Sequence, residues 1–465
     1  MGFIQAKIYP RLPVFAQNWA ISAYGLYWHR RRFGGVFEQE LRDFKERESF
    51  TAQQWHDYQT AQLRKLLVHA FETVPLYRER YSALGFTKSW FERFELEDLP
   101  RLPYLTKDDL RRFGTTTLLS SKREKGGQFF SSSGSTGTPV QILYSHAFHQ
   151  RMNAAMEARV RNWAGVSGND ARGMIGGRRI LPAADNTPPY YRFNIFERQV
   201  YFSAYHISRQ NAAGYLQGIQ KYKLHYMTGY AMSNYFLAAF FDELSLEVPV
   251  LKAVITSSEK LTSRMRALFG KVYGCRTYDS YSGVENCGLI SECPEGELLI
   301  SPDVGIMEIL NENGNPVKPG EEGEIISTGL LNRDQPLIRY RIGDRARLVP
   351  DALSNGSRHM PAIAEIAGRV EDTIITSDGR QMVRFHGIFV NLPHVLQAQV
   401  VQHSLDDFTV RVVTTKGYGT NEEAIIRQRM QSQLGKQANI AVQETVEIPR
   451  TANGKFKAVV SEIVS

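Results

Sequence analysis

Cysteine is scarce in this sequence. The chain of 465 residues has three, at Cys275, Cys287 and Cys293. An odd and sparse set does not suit a disulfide framework, and it favours a reducing compartment. The intervals of eleven and five intervening residues differ from those of a zinc ribbon. Buried free thiols are therefore preferred, with a structural Zn²⁺ site as the alternative.

Long apolar runs and a secretory signal are also missing. No clean apolar segment follows a basic start at the N-terminus, so we expect a cytoplasmic protein. The stretch from Pro13 to Trp28 is fairly apolar, but it is too short and too polar to span a bilayer. It leads into the basic run His29–Arg32, and two interpretations stay open. The helix rests on an anionic membrane surface, as a peripheral contact at most, or it packs on the protein with a solvated basic end.

Repeats, low-complexity segments and basic tracts interleaved with aromatic residues are absent, and the last absence argues against a nucleic-acid-binding protein. The 56 Lys and Arg against 48 Asp and Glu give a formal net charge of +8. This excess suits an anionic ligand such as a nucleotide or coenzyme A, and equally a protein with no special partner. The length allows two or three domains.

Hydrophobic periodicity predicts an α/β fold. Residues 37–84 have helical spacing, and Thr106 is a predicted N-cap for a short helix at Lys107–Phe113. Helical and strand-like segments then alternate, which indicates a sheet with helices on its faces. Residues 298–349 are typical of short antiparallel strands with turns, two of them at Asn313-Gly314 and Pro319-Gly320.

A boundary is predicted at Gly368, which divides the chain into domains of residues 1–367 and 368–465. The smaller, α+β domain is predicted to contain two strands and two helices. The strands are placed at 373–376 and 408–414, and the helices near 392–399 and at 421–434.

The strongest single chemical signal is the loop Ser131–Pro139, with the sequence SSSGSTGTP. Its glycines let backbone N–H groups approach a ligand and its hydroxyls add donors, so the loop can wrap a polyphosphate. It is not a Walker A loop, because no Gly-Lys-Ser/Thr follows and a strand comes next. This argues against a nucleotide hydrolase or kinase of the P-loop type.

Four further motifs follow in chain order: Tyr278–Glu285 (YDSYSGVE), Pro336–Asp344 (PLIRYRIGD), Gly368–Asp372 (GRVED) and Ile448–Lys455 (IPRTANGK). With the loop, they resemble the adenylate-forming enzyme superfamily of acyl-CoA synthetases, luciferases and peptide-synthetase adenylation domains. The flanks Leu67–Arg78 and Leu99–Lys107 resemble its phenylacetate–CoA ligase branch. The N-terminal fifty residues look closest to that branch's capsular polysaccharide biosynthesis members.

The resemblance implies a large multi-sheet N-terminal domain holding the ATP and acyl sites, and a small mobile C-terminal lid domain with the catalytic lysine. Lys455 would stabilise charge at the α-phosphate and acyl carboxylate, Glu285 would hold Mg²⁺ with ATP, and Arg369 would bind ribose or phosphate. Glu371 takes the hinge position. Further ATP-binding residues are implied at Ser132, Ser133, Gly134, Ser135, Thr136, Gly137, Thr138, Ser258, Glu259, Asp279, Tyr281, Ser282 and Asp344.

Among these, Tyr281 would stack on adenine, Asp344 would bind the ribose hydroxyls, and Asp279 with the turn at 257–259 would meet the adenine edge. For the acyl group, the segment Phe202–Ile207 resembles the superfamily's acyl-site lining. This implies substrate contacts from Tyr205 and His206, with Tyr230 nearby. The alternatives are a satisfied core histidine at His206 and an aromatic stripe that is core.

Three positions depart from the superfamily pattern. Val140 stands where many relatives have Lys, Val284 replaces a small hydroxyl residue before the Mg²⁺ glutamate, and Ile342 replaces a common Thr. None removes a charged group considered essential, although all three bear on the phosphate geometry.

The implied function is ATP-dependent activation of a carboxylic acid as acyl-AMP, with release of pyrophosphate and transfer of the acyl group to CoA. Surface polysaccharide biosynthesis is the implied setting. The first alternative passes the acyl group to an amine on a sugar or amino acid. The second is a non-catalytic adenylate-binding or scaffold protein of a polysaccharide assembly.

Overall fold

The computed structural model describes most of the chain up to residue 367 and parts of the remainder. The described residues are 9–131, 139–178, 180–181, 187–259, 261–350, 358–367, 374–376, 381–382, 385, 388–389, 392, 394–414, 416–446, 448 and 459–463.

Helices dominate the N-terminal quarter. They are α1 (Val14–Phe33), α2 (Phe37–Glu46), α3 (Ala52–Thr73), α4 (Pro75–Ala83), α5 (Lys88–Glu92) and α6 (Lys107–Phe113). The predicted helical region at 37–84 is confirmed. So is the cap of α6, where the Thr106 hydroxyl accepts a hydrogen bond from the Asp109 N–H at 3.1 Å. Local capping chemistry therefore sets this boundary.

The hairpin of β1 (Gln128–Ser131) and β2 (Gln141–Tyr144) precedes a twelve-stranded sheet. The strands of this sheet are β3 (Arg172–Gly176), β4 (Tyr191–Asn194), β5 (Gln199–Ser203), β6 (Tyr226–Tyr230), β7 (Ala253–Ser257), β8 (Arg276–Tyr281), β9 (Ile290–Glu292), β10 (Leu298–Ile300), β11 (Gly305–Leu310), β12 (Glu322–Gly329), β13 (Tyr340–Leu348) and β14 (Ala362–Ala367). The helices among them are α7 (His146–Met156), α8 (Ala212–Lys221), α9 (Ala231–Glu243) and α10 (Ser263–Tyr273). The predicted α/β fold class is confirmed.

The sheet has a parallel part and an antiparallel part. The spatial order is β11-β12-β13-β14-β10-β9-β8-β7-β6-β3-β5-β4. Strands β8, β7, β6, β3 and β5 are mutually parallel, and the remaining pairs are antiparallel. The predicted turns lie in the antiparallel part, where Gly314 and Gly320 have φ of 78° and 82°. The parallel strands therefore bring their carboxyl ends to one edge of the sheet.

The C-terminal part has a four-stranded sheet of its own, in the order β19-β18-β17-β20. Its elements are β15 (Ile374–Ile375), β16 (Gln381–Met382), β17 (Val395–Gln402), β18 (Asp407–Thr414), α11 (Thr420–Leu434), β19 (Asn439–Glu444) and β20 (Val459–Ser461). Buried residues between Ile374 and Val459 form a separate hydrophobic cluster. The boundary proposed at Gly368 lies outside the described residues and stays a prediction.

The helix predicted near residues 392–399 is wrong. That segment enters β17, which pairs with β18 on one side and with β20 on the other. Val395, Val400 and Val401 are all buried in the strand. Pairing on both sides and β-branched side chains outweigh the apolar spacing that suggested a helix.

The edge strand β4 is covered by α1. The Phe193 N–H donates to Asn18 Oδ1 at 3.0 Å, and the Ile195 N–H donates to Ser22 Oγ at 3.2 Å. Gly25 allows the close approach, since a side chain there would collide with Asn194. Polar residues of α1 thus satisfy backbone groups that an exposed sheet edge would leave open.

The basic end of α1 is only partly solvated, in contrast to one of the two interpretations of the sequence. Arg31 is buried and donates to the Tyr144 carbonyl at 2.7 Å. Arg32 forms an ion pair with the buried Glu197. Arg30 remains exposed. Among the described helices, none combines the length and apolarity that crossing a membrane requires.

Candidate active site

Several of the predicted site residues lie at the carboxyl ends of neighbouring parallel strands. Asp279 and Tyr281 end β8, Ser258 and Glu259 follow β7, and Tyr230 ends β6. Tyr205 and His206 follow β5, two strands further along the sheet. Ligands of open α/β sheets bind in the crevice outside these strand ends. The sheet order therefore gathers positions that are far apart in sequence.

A bulge in β13 turns Asp344 toward β8. Between the pairs Arg345–Glu324 and Arg341–Ile326, β12 has one residue and β13 has three. Gly343 adopts φ of 83° within the bulge, a conformation that favours glycine. The Tyr281 hydroxyl donates to Asp344 Oδ2 at 2.8 Å. The adenine and ribose motifs of the resemblance thus meet directly.

Glu285 lies in the turn after β8, next to the same strand β13. Tyr340, which is fully buried, donates from its hydroxyl to Glu285 Oε1 at 3.4 Å. The turn is braced by Ser282, whose hydroxyl is 2.8 Å from Asn286 Oδ1 and 3.2 Å from the Gly288 carbonyl. A carboxylate on a braced turn beside the ribose motif suits a ligand of a hard cation such as Mg²⁺.

The β1–β2 hairpin is tied to this turn through Tyr144. Its hydroxyl donates to the Val284 carbonyl at 2.6 Å and accepts from the Asn286 amide. Gln335 holds the same hairpin by accepting from the Leu143 N–H at 2.7 Å. The strands that flank the predicted phosphate loop are therefore fixed beside Glu285, although residues 132–138 themselves lie outside the described residues.

Asp279, at the end of β8, is a buried carboxyl that lies beside an ion pair. Burial raises the pKa of its carboxyl to about 7, against the opposing effect of the Arg266 guanidinium; the Glu292 carboxylate raises it further. Arg266 and Glu292 form a two-point ion pair with N–O distances of 2.7 and 3.1 Å. Glu292 Oε2 also accepts from the Asp279 N–H at 3.0 Å. A shifted carboxyl at a strand end is typical of a functional site.

The proposed acyl residues divide into a buried and a partly exposed set. His206 is completely buried, with Nδ1 2.7 Å from the Ser203 hydroxyl and its ring stacked on Tyr190 at 5.7 Å between centroids. Tyr190 also stacks on Tyr215 at 5.7 Å. This environment fits the core-histidine alternative, so a substrate contact by His206 stays a prediction. Tyr230 is partly exposed at the start of α9.

Tyr205 has a position that the sequence did not suggest. Its hydroxyl donates to the Gly177 carbonyl at 3.2 Å, which ties the ends of β3 and β5 together. Its ring packs against the hydrophobic cluster of the C-terminal part. Tyr205 is therefore a contact between the proposed acyl site and the proposed lid.

The three departures from the superfamily pattern are all apolar packing positions here. Val140 and Ile342 are buried in the N-terminal hydrophobic cluster, and Val284 packs against it. Val284 also supplies the carbonyl that Tyr144 binds. At these three positions, where the resemblance implies polar residues, apolar side chains pack in or against the core.

The remaining predicted residues cannot be placed. Lys455, Arg369 and Glu371 lie outside the described residues, as do Ser132, Ser133, Gly134, Ser135, Thr136, Gly137 and Thr138. Their roles stay predictions. The three cysteines are free thiols, and within the described part of the chain no three His, Cys, Asp or Glu side chains gather as a metal site would need. Burial raises the pKa of Cys275 and Cys287 to about 12.

Some residues that shape the site were not found from the sequence. Tyr340 lies inside the ribose motif and Tyr144 in the strand after the phosphate loop, so each was marked only by its neighbourhood. Arg266 and Glu292 are 26 residues apart on different elements. No spacing rule links such a pair before the strand order is known.

The matches to known proteins together cover nearly the whole chain. The family model described as CapK C-terminal domain matches residues 374–462. Protein CapK of Staphylococcus aureus is 24% identical over 470 aligned residues, which cover 98% of this chain and 99% of that protein. The phenylacetate–coenzyme A ligase of Escherichia coli K12 is 25% identical over 431 residues, which cover 84% and 92%.

Solved structures show the same fold. The 2-hydroxyisobutyryl-CoA ligase in its thioesterification state, in complex with 2-HIB-AMP and CoA, has a TM-score of 0.59 at 18% identity and covers 89% of this chain and 91% of its own. An open conformation of that ligase gives a TM-score of 0.54 at 19% identity, with coverage of 89% and 93%. The fold expected from the motifs, that of adenylate-forming enzymes, is therefore confirmed.

Proposed function

Because this chain is a homologue of CapK and of the phenylacetate–coenzyme A ligases, we propose that it is an AMP-forming ligase. It would join a carboxylic acid to AMP, release pyrophosphate and pass the acyl group to an acceptor. The observation that carries the proposal is the 2.8 Å contact between Tyr281 and Asp344 at the parallel strand ends. It joins the proposed adenine and ribose positions into one binding surface.

ATP would lie across the ends of β7 and β8. Tyr281 would stack on adenine, and Asp279 with Ser258 and Glu259 would meet the adenine edge. Asp344, held by the Tyr281 hydroxyl, would accept hydrogen bonds from the ribose hydroxyls. Ser282 braces the turn between them. These roles follow the motif resemblance and fit the positions of the side chains.

The phosphates would lie between the hairpin and Glu285. Glu285 would bind the Mg²⁺ that accompanies ATP, and the backbone and hydroxyls of residues 132–138 would surround the polyphosphate. Arg369 would add a positive charge at the ribose or phosphate. The bonds from Tyr144 to Val284 and Asn286 would keep the loop and the metal ligand in register.

In the reaction, a substrate carboxylate oxygen bonds to the α-phosphorus, and the bond from that phosphorus to the bridging oxygen breaks. Pyrophosphate leaves with the electron pair. No proton transfer is needed, so catalysis would come from positioning and charge stabilisation. Lys455 would supply a cation where the carboxylate and α-phosphate meet, since both are anionic.

The acid would enter near the ends of β3, β5 and β6. Tyr205 and Tyr230 would line this space, with His206 and the stacked rings of Tyr190 and Tyr215 behind. Such a wall is aromatic and partly polar, so an aryl acid is the first substrate class to test. Uronic, fatty and amino acids are the further classes to test.

For the second step we propose CoA as the acceptor, from the phenylacetate–coenzyme A ligase relatives. The small domain would turn about Glu371, which would withdraw Lys455 and admit the thiol. The CoA sulfur would bond to the acyl carbon while the bond from that carbon to the phosphate oxygen breaks, so that AMP leaves with the electron pair and the thiol proton passes to solvent. An amine on a sugar or amino acid is the second candidate acceptor, which follows from the resemblance to the capsular polysaccharide biosynthesis members. A cytoplasmic location and a role in surface polysaccharide synthesis remain part of the proposal.

The first prediction concerns adenylation itself. We expect acid-dependent ATP–pyrophosphate exchange with one class among aryl, fatty, amino and uronic acids. Lys455→Ala should lower it on the order of 10²–10³-fold, the loss seen when one transition-state donor is removed. Lys436→Ala, at an exposed lysine of the same region, is the matched control and should keep the wild-type rate.

Exchange that persists in Lys455→Ala would contradict the proposed lysine role. ATP binding without exchange across all four acid classes would favour the non-catalytic alternative. Release of phosphate in place of pyrophosphate would indicate a hydrolase. The acceptor is then assigned by mass spectrometry of the product formed from the active acid with CoA or with amino sugars.

A further inference from the structure

The outward face of α1 is aromatic. Phe15, Trp19 and Tyr27 are 69%, 66% and 47% exposed. Their spacing of four and eight residues puts them on one stripe of the helix, together with the exposed Ala23. The inward side carries the polar residues Gln17, Asn18, Ser22, Arg31 and Arg32, together with the partly buried Ile21, Trp28 and Phe33. The helix therefore places several polar residues inside and leaves an aromatic stripe in water.

The inward contacts fix this orientation. Asn18 and Ser22 bind the backbone of β4, Gln17 accepts from Arg192, and Arg32 pairs with Glu197. Rotating the helix to bury its aromatic stripe would break these bonds and expose an edge strand. The aromatic stripe is thus exposed because of the way α1 is attached, and the chain cannot bury it without losing these hydrogen bonds.

The apolar surface continues beyond the helix. Ile195 and Phe196, 53% and 44% exposed, lie in the turn whose Ile195 N–H binds Ser22. Five of the ten exposed large hydrophobic residues in the described part of the chain therefore lie on or beside α1. We call this set the α1 patch: Phe15, Trp19, Tyr27, Ile195 and Phe196. Such concentration marks an interaction surface.

The positive charge of residues 1–37 favours an anionic partner. Residues 1–37 contain five basic residues and no Asp or Glu, and the first acidic residue is Glu38. Arg31 and Arg32 are used inside, whereas Arg11 and Arg30 are exposed near the two ends of the aromatic stripe. Trp and Tyr beside basic residues are the groups that favour the boundary between lipid head groups and acyl chains.

We propose that the α1 patch binds the surface of a bilayer containing anionic lipid, with α1 lying parallel to the membrane plane. The aromatic side chains enter the head-group boundary, and Arg11 and Arg30 meet lipid phosphates. This association would hold the enzyme at a membrane without a spanning helix. It is independent of the chemistry proposed above.

The test is flotation of the full-length protein with vesicles of phosphatidylcholine, alone or mixed with phosphatidylglycerol. We expect binding to the mixed vesicles that weakens with salt. Replacing Phe15, Trp19 and Tyr27 together by Ser should lower partitioning by roughly a hundredfold, since three aromatic contacts are lost. Arg30→Glu should lower it by roughly tenfold on anionic vesicles only.

The matched control replaces exposed apolar residues outside the patch, Val250, Leu405 and Val446, by Ser and should bind as wild type. Circular dichroism of each variant establishes that the fold is retained. Absence of vesicle binding by the wild type, or equal binding by the triple patch variant, overturns the proposal. So does a lipid-independent dimer that only the patch substitutions dissociate, because the occupant is then a second copy of the chain.

Discussion

The buried carboxyl of Asp279 lowers the stability of the folded chain at neutral pH, although this residue is part of the proposed site. Burial raises the pKa of its carboxyl to about 7 from a usual value of 3.8. Between these pH values the folded chain holds a proton that the unfolded chain has released. Stability therefore falls as pH rises from about 4 to about 7 and stays lower above it. A carboxyl that lowers stability in this way is typical of a functional site.

Asp279→Asn should remove this pH dependence. The amide stays neutral and its oxygen can still accept the Ser280 N–H, which lies 2.9 Å from Asp279 Oδ1. We expect the thermal midpoint of the variant, relative to wild type, to be higher at pH 8 than at pH 5 by roughly 2–4 °C, measured by calorimetry. At pH 8, where the wild-type carboxyl is largely ionised, the KM for ATP should also rise, because the adenine edge loses a charged acceptor.

Asp57→Asn is the control for this experiment, since the Asp57 side chain is 66% exposed and should show no such trend. A midpoint difference for Asp279→Asn that is equal at both pH values would contradict the burial argument. An unchanged KM for ATP would instead separate Asp279 from nucleotide binding.

At the scale of elements, the bulge of β13 orients Asp344 toward Tyr281. Gly343→Ala forces a side chain onto a residue with φ of 83°. The strain, of about 1–2 kcal/mol, is relieved by flattening the bulge, which withdraws Asp344 from Tyr281. We expect the KM for ATP to rise about tenfold, with a smaller effect on kcat, in pyrophosphate exchange.

Gly320→Ala provides the matched comparison, because Gly320 has φ of 82° in a surface turn and no heavy atom nearer than 4.0 Å to an added Cβ. It should lose similar stability and keep the KM for ATP. A rise of KM in both variants would mean that loss of stability alone is being measured.

Elements were predictable wherever local chemistry decides them. The Thr106 cap, the glycine turns at Gly314 and Gly320 and the strand predicted at 408–414 match the structure. Strand β17 was not predictable in the same way, because its two partners lie downstream and one of them, β20, is more than fifty residues away. Apolar spacing alone does not distinguish a doubly paired strand from a helix.

At the scale of the whole molecule, the motifs predicted the type of chemistry but not the tertiary contacts that position the residues. The contact between Tyr281 and Asp344 depends on a strand order in which three strands separate β13 from β8, and on the bulge in β13. The orientation of α1 was also not predictable from the sequence. Apolar and polar residues are mixed along the helix, and only the contacts with β4 show which side faces water.

A buried ion cluster joins the distant parts of the N-terminal region. Asp303, in the loop between β10 and β11, is fully buried and accepts from Arg47 Nε at 2.9 Å and Arg159 Nη2 at 3.2 Å. Arg47 follows α2, and Arg159 follows α7. Arg159 also pairs with Glu48 at 2.5 Å. One carboxylate thus connects the segments that follow α2 and α7 with the antiparallel part of the sheet.

Asp303→Asn should therefore destabilise the whole chain. It leaves two guanidinium groups without their shared buried counter-charge, a loss of about 3–5 kcal/mol, visible as a lower midpoint of urea unfolding. Asp108→Asn is the control, because Asp108 is 88% exposed in its pair with Arg111 and should change stability by less than about 1 kcal/mol. Replacing Arg47, Arg159 and Asp303 together by Met, Met and Leu should lower the free energy of unfolding by less than Asp303→Asn alone. In the triple variant, position 303 has no buried guanidinium group beside it that lacks a counter-charge. If the triple replacement costs more, attraction between the charges, and not the desolvation of an unpaired one, governs this cluster.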